Sequence, residues 1–163
     1  MTQSPFELLT LIVAPAILTN SASVLSLGTS NRFARTVDRS RFIYEKMKEP
    51  EKLPASEVAL YQKQLPIVGK RSLLLVKALT CFYIAIGAFA ATAFVSLMGA
   101  AVTLFHYVLV SNITMMAALA CGVVGVISLV LGTVLLVQEM WLALNFLHAE
   151  VELSEGIQVN PIL

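Results

Sequence analysis

His148 and Glu152 stand four residues apart, a spacing that on a helix lets an imidazole and a carboxylate share one metal ion. A solvated helix face accounts for the pair more simply, and no HExxH motif accompanies it. His106 lies beside Tyr107 with no second ligand near it in sequence. Cys81 and Cys121 fall inside apolar runs without CxxC or histidine spacing, and read as small packing residues. A Gly-rich phosphate loop and a nucleophile elbow are both missing. The expectation is therefore a protein that is not an enzyme and that uses neither metal nor cofactor.

The densest chemistry is basic. In TSNRFARTVDRSR, residues 29–41, Arg32, Arg35, Arg39, Arg41 and Asp38 follow a stretch whose single charge is Glu7. Asp38 stands three residues from both Arg35 and Arg41, and Glu45 four from Arg41, so carboxylate–guanidinium pairs are expected along a helix. Such forks would let four arginines tolerate one another. At headgroup depth each would also attract anionic lipid by about 1 kcal/mol.

The elements that carry these groups follow from composition. Of the 163 residues, 58% are hydrophobic and only 13% are charged, and the mean hydropathy is +0.83. A soluble domain of this size cannot hide that much apolar surface, so an all-α integral membrane protein is expected. The formal net charge of +1 gives no reason to expect a nucleic-acid partner. Three stretches reach the length of about 20 residues that a spanning helix needs, at roughly 6–30, 73–100 and 113–137. The N-terminus lacks a basic n-region and an A-x-A site, so the first apolar run is expected to remain as a span.

Charge sets the orientation. Ten of the eleven Lys and Arg residues lie between the first two spans, and Lys77 sits just inside the second. The positive-inside rule then puts residues 31–72 and the C-terminus in the cytoplasm and the N-terminus outside. The uncharged VTLFHYVLVSN between spans 2 and 3 would lie at the outer interface.

The helices are expected to continue past the membrane. Residues 31–48 contain no Gly or Pro, and Phe33, Val37 and Tyr44 would share one face. Pro50 and Pro54 in KEPEKLP turn the chain, and residues 54–71 return with a kink expected at Pro66. The third helix has no breaker until Gly156, and Trp141 suits an interfacial belt. Residues 31–71 hold ten basic and five acidic side chains, a net of +5, whereas Glu139, Glu150, Glu152 and Glu155 carry the tail 138–163 with no Lys or Arg. The acidic arm should dock on the basic hairpin.

Within the spans, small residues recur at heptad-like steps. Ala85, Ala88 and Thr92 in the second and Ala118, Gly125 and Gly132 in the third read as packing seams. The first span differs, with Thr19, Asn20, Ser23, Ser26, Ser30 and Asn31. This half-span is too polar to face lipid. Two readings stand: packing against other helices, or the lining of a water-filled path in a homo-oligomer, since three spans cannot enclose a pore alone. Glu7 has two readings as well, the last residue of an S-x-x-E capping box or part of an outer mouth.

The run APAILTNSASVLSLGTSNRFARTVDRSR, residues 14–41, resembles the hallmark region of a family of small bacterial membrane proteins, domain-of-unknown-function family 2721. Ala14-Pro15, Ser30-Asn31-Arg32 and Val37-Asp38-Arg39-Ser40-Arg41 carry the resemblance, which extends more loosely over residues 6–150. It implies a bacterial inner-membrane location and this topology, but no activity and no catalytic residue.

Two functions are consistent with these features. One is an oligomeric channel whose first helix lines the path, with the arginines ringing its inner mouth. The other is a non-conducting scaffold or regulatory subunit acting through its charged cytoplasmic helices.

Overall fold

The computed structural model describes the backbone of residues 5–103 and 108–158; side chains are described from Val13 to Val102, Lys52 and Ser56 excepted, and at Val110 and Asn112–Leu144. The described chain is all helical. Helix α1 spans Pro5–Lys46, a single 3-10 turn spans Pro50–Lys52, α2 spans Ala55–Thr103 and α3 spans Val108–Gln158. With 42, 49 and 51 residues, each helix is more than twice as long as the roughly 20 residues that cross a hydrocarbon core.

Local sequence explains the ends. Helix α1 closes with Met47 donating its N–H to the Ile43 carbonyl at 3.0 Å, and the turn starts at Pro50, which cannot continue a ladder. The Pro54 carbonyl accepts the N–H groups of Glu57 and Val58, so Pro54 caps α2 rather than entering its first turn. Helix α2 continues without interruption through Pro66, and α3 passes Gly156 and includes Gln158, the last described residue. The link between α2 and α3 is shorter than VTLFHYVLVSN, because α2 retains Val102 and Thr103 and α3 begins at Val108.

Two compact units share the helices. The first comprises residues 1–29 and 78–133. Its core is a heptad of α2, Ala78, Phe82, Ala85 and Phe89, with Ala22 from α1 and Ala118 from α3. Both phenyl rings lie on glycines of α3. A Cβ at Gly125 would fall 2.6 Å from Cε1 of Phe89, and one at Gly132 would fall 2.6 Å from Cε1 of Phe82. Absent side chains on α3 thus make room for the largest side chains of the unit's core, the knob-and-hole fit of small crossing angles.

The second unit comprises residues 30–77 and 134–163. Its apolar core is Ile43, Val68 and Leu75, and it also buries Thr36, Gln64 and Glu139. The α1 face directed inward here centres on Thr36 and Ile43. Phe33, Val37 and Tyr44 share the neighbouring side, with Phe33 and Val37 half-buried at its edge and Tyr44 exposed. Residues 36 and 43 are one heptad apart and share a direction on the helix. Tyr44, one residue on, is turned about 100° from Ile43.

Among the described residues, two stretches are long and apolar enough to cross a membrane, Glu57–Val102 in α2 and Asn112–Leu144 in α3. In α3 only 11% of the most apolar part is buried within the chain. Its outward side shows Met115, Met116, Leu119, Ile127 and Leu131.

Candidate functional site

The second unit places its strongest polar groups inside. Glu139 occupies the heptad position that follows Gly125 and Gly132 on α3, and its side chain is 3% exposed. Arg71 of α2, 28% exposed, donates from Nε to Oε1 of Glu139 at 2.8 Å, and its Nη2 lies 2.8 Å from the same oxygen. One buried carboxylate oxygen thus faces two nitrogens of the guanidinium. The guanidinium reaches toward solvent while the carboxylate cannot.

A second polar contact joins α1 to α2. Arg39 donates from Nη2 to Oε1 of Gln64 at 3.1 Å, and Gln64 is 1% exposed. The Arg39 guanidinium also lies 5.6 Å from the centre of the Phe42 ring, and the Lys46 ammonium lies 5.8 Å from the same ring. Thr36 closes the layer locally by returning its hydroxyl to the Arg32 carbonyl at 2.9 Å.

The arginine cluster opens outward. Arg32, Arg35, Asp38, Arg39 and Arg41 are all exposed. The expected Asp38 pairs with Arg35 and Arg41, and the Arg41–Glu45 pair, do not form among the described residues. Exposed pairs at these spacings contribute only about 0.2–0.5 kcal/mol, which explains why the side chains stay solvated. Among the described residues the acidic arm meets the basic hairpin where Arg71 pairs with Glu139. The side chains of Glu150, Glu152, Glu155 and His148 lie outside the described residues, as do His106 and the side chain of Glu7.

The polar residues of α1 divide. Ser26 is buried in the first unit beside Ala22 and Thr29 on the inward side of the helix. Asn20 and Ser23 are exposed and Thr19 is half-buried; in the second unit Ser30 is half-buried and Asn31 exposed. Thr19 donates to the Pro15 carbonyl at 2.8 Å, Ser21 to the Ile17 carbonyl at 3.0 Å and Ser23 to the Thr19 carbonyl at 2.8 Å. Their protons are engaged within the helix, so outward they offer oxygen lone pairs.

On the packing residues, Ala85, Ala118, Gly125 and Gly132 are buried, and Ala88 and Thr92 are half-buried. Thr92 returns its hydroxyl to the Ala88 carbonyl at 2.9 Å. Sequence reasoning overlooked Phe82 and Phe89, because phenylalanine in an apolar run fits a lipid face as well as a core. It also overlooked Gln64 and the Arg71–Glu139 pair. The signal for the pair was present: Glu139 is the one acid between Glu57 and Glu150, and it falls in the glycine heptad. Among the described residues no group of three His, Cys, Asp or Glu side chains converges to hold a metal.

A family model described as "Protein of unknown function (DUF2721)" matches residues 12–149, a range that includes the α1 cluster, both glycines under the phenyl rings and the Arg71–Glu139 pair. Neither a curated protein nor a solved structure matches. With most of its length so matched, the chain belongs to the DUF2721 family.

Proposed function

We propose that this chain is a self-associating bacterial inner-membrane protein in which α1 is a third span and its polar side faces a hydrated path shared between copies. One contrast supports this reading most. Between Ile113 and Val137 the exposed residues of α3 are Met, Leu, Ile, Val and Ala, whereas α1 exposes Asn20, Ser21, Ser23, Gly28 and Asn31 among its apolar residues. An amide facing hydrocarbon without a partner costs roughly 2–7 kcal/mol, so this surface needs water or another helix. The hydroxyl lone pairs left outward suit water.

In this reading the N-terminus is outside, and both the hairpin 31–72 and the tail 138–163 extend into the cytoplasm. The concentration of Lys and Arg between α1's apolar half and Lys77 supports that orientation, and the exposed Trp141 suits the inner interface. Arg32 and Arg35 then meet anionic headgroups, and Arg32, Arg35, Arg39 and Arg41 ring the inner mouth, with Glu7 at the outer one. The role is not catalytic, and the partners are lipid and further copies rather than nucleic acid.

A second reading, a non-conducting scaffold or regulatory subunit, is favoured by the burial of Ser26, which removes one hydroxyl from any path. Conductance of the purified protein in planar bilayers separates the two. Current that changes with Ser23→Leu supports the path. Silence under voltage, osmotic stress and varied ions supports the scaffold.

A further inference from the structure

Of the stretches 6–30, 73–100 and 113–137, only the first contains an amide side chain, Asn20. The neighbouring hydroxyls of Thr19, Ser21 and Ser23 bond back to carbonyls of their own helix, whereas the Asn20 side chain makes no hydrogen bond among the described residues. An amide carries both donors and an acceptor, and all of them are left to whatever lies outside the fold.

Asn20 is the middle member of a row within the first unit. Val13, Ile17, Asn20, Val24 and Leu27 follow one another at steps of four and three, and all five are exposed. Steps that average 3.5 residues keep side chains on one side of a helix and let two such helices lie along each other at a small angle. The row points away from the buried Ala22, Ser26 and Thr29. From Val13 to Leu27 it runs about 21 Å at 1.5 Å per residue, most of a hydrocarbon core about 30 Å thick. Its flanks are small. Ala16 and Ser23 lie on one side, Ala14, Ser21 and Gly28 on the other, all exposed, and a Cβ at Gly28 would meet nothing within 4 Å. Small flanks let another helix approach closely.

We propose that α1 packs along this row against α1 of further copies of the chain, parallel and in register about a shared axis, so that the Asn20 amides meet in one polar layer. The contact rests on α1 being a span and on the self-association proposed above. Copies inserted in the same direction carry Asn20 at the same depth, so the row matches itself in length and in the position of its polar group. The amides then bond to one another and to water at the axis. Lipid chains offer the amide no partner. A different protein would need a polar group at that one depth in an otherwise apolar seam. The amide also fixes the register, because a slide of one heptad sets Asn20 against Leu27 of the neighbour.

The test combines the mass of the purified full chain in detergent, by light scattering, with disulfide trapping in liposomes. Single cysteines are placed at Val13, Ile17, Asn20, Val24 or Leu27 in a chain lacking Cys81 and Cys121. Mild oxidation is expected to link copies at these positions at least about tenfold faster than at Phe94 or Val126, exposed on α2 and α3, because a disulfide needs Cβ atoms about 3.5–4.5 Å apart. Asn20→Leu is expected to raise the dissociation constant of the oligomer about three- to twentyfold, the range that hydrogen bonds between membrane helices contribute. A wild type that stays monomeric overturns self-association itself. An oligomer that links at Phe94 or Val126 but not along the row overturns the α1 contact while leaving self-association in place. An oligomer as tight with Asn20→Leu as without it overturns the amide layer. Row cysteines that link in native membranes to a different protein give the face to that partner and equally overturn the contact between copies. Linked rows in a protein that passes no current support the contact and count only against the path.

Discussion

Arg71 on α2 and Glu139 on α3, 68 residues apart in the chain, meet with the guanidinium Nη2 2.8 Å from Oε1 of a carboxylate that is 3% exposed. The burial is one-sided, because Arg71 keeps a route to water and Glu139 has none. A buried pair of this kind adds little net stability over an apolar contact, yet is costly to break from one side.

Removal of the cation should therefore cost more than removal of the acid. Arg71→Ala leaves a buried carboxylate uncompensated and is expected to destabilise by about 3–5 kcal/mol, whereas Glu139→Ala leaves a cation that reaches water and should cost less. The paired change R71M/E139L should return close to wild type. Thermal unfolding in detergent, followed by circular dichroism, checks the order; equal losses for the two single variants would count against the one-sided burial.

Gly125 and Gly132 should refuse a methyl group. Each Cβ would stand 2.6 Å from a phenyl carbon, so Gly125→Ala and Gly132→Ala are expected to cost about 1–3 kcal/mol despite the better helix propensity of alanine. Pairing Gly125→Ala with Phe89→Leu should recover part of that loss. The control is Gly87→Ala, where no atom lies within 4 Å and a gain of up to about 1 kcal/mol is expected.

Phe82 and Phe89 should dominate the stability of the first unit. Truncating either to alanine removes a fully buried ring and is expected to cost about 3–5 kcal/mol. Phe94→Ala, on a ring that is 65% exposed, should cost far less in detergent. The comparison needs only melting temperatures of the three variants.

Water access along α1 can be mapped with single cysteines in a chain lacking Cys81 and Cys121. A hydrated path predicts that a cysteine at Asn20 or Ser23 reacts with a water-soluble thiol reagent in liposomes much faster than one at Val126, which is also exposed but sits on the apolar side of α3. Similar slow rates at all three positions would remove the path and leave α1 as a packing helix.

Much of the fold was legible in order along the chain. Residues 31–48 lack breakers, and up to Lys46 they form one helix with the apolar run before them; KEPEKLP turns where its prolines require it. These are local effects, decided by missing N–H groups, by propensity and by hydroxyls that bond back one turn. The heptad of Ala118, Gly125 and Gly132 was legible too, because close approach of helices demands small side chains at a fixed period.

What the residue order could not decide is which way each helix turns and what each inward side chain meets. Ser23 and Ser26 look alike in sequence, but three residues place one outside and the other inside. Phe82 reads like any lipid-facing aromatic until Gly132 is seen beneath it. Glu139 and Arg71 are only two charges until two helices bring them together. Period and breakers are properties of a segment, so sequence alone determined the long helices and the turn that parts α1 from α2. Rotation and partnership depend on contacts between distant segments, where a few side-chain volumes and one buried charge select among packings of similar apolar area, and that choice belonged to the tertiary structure.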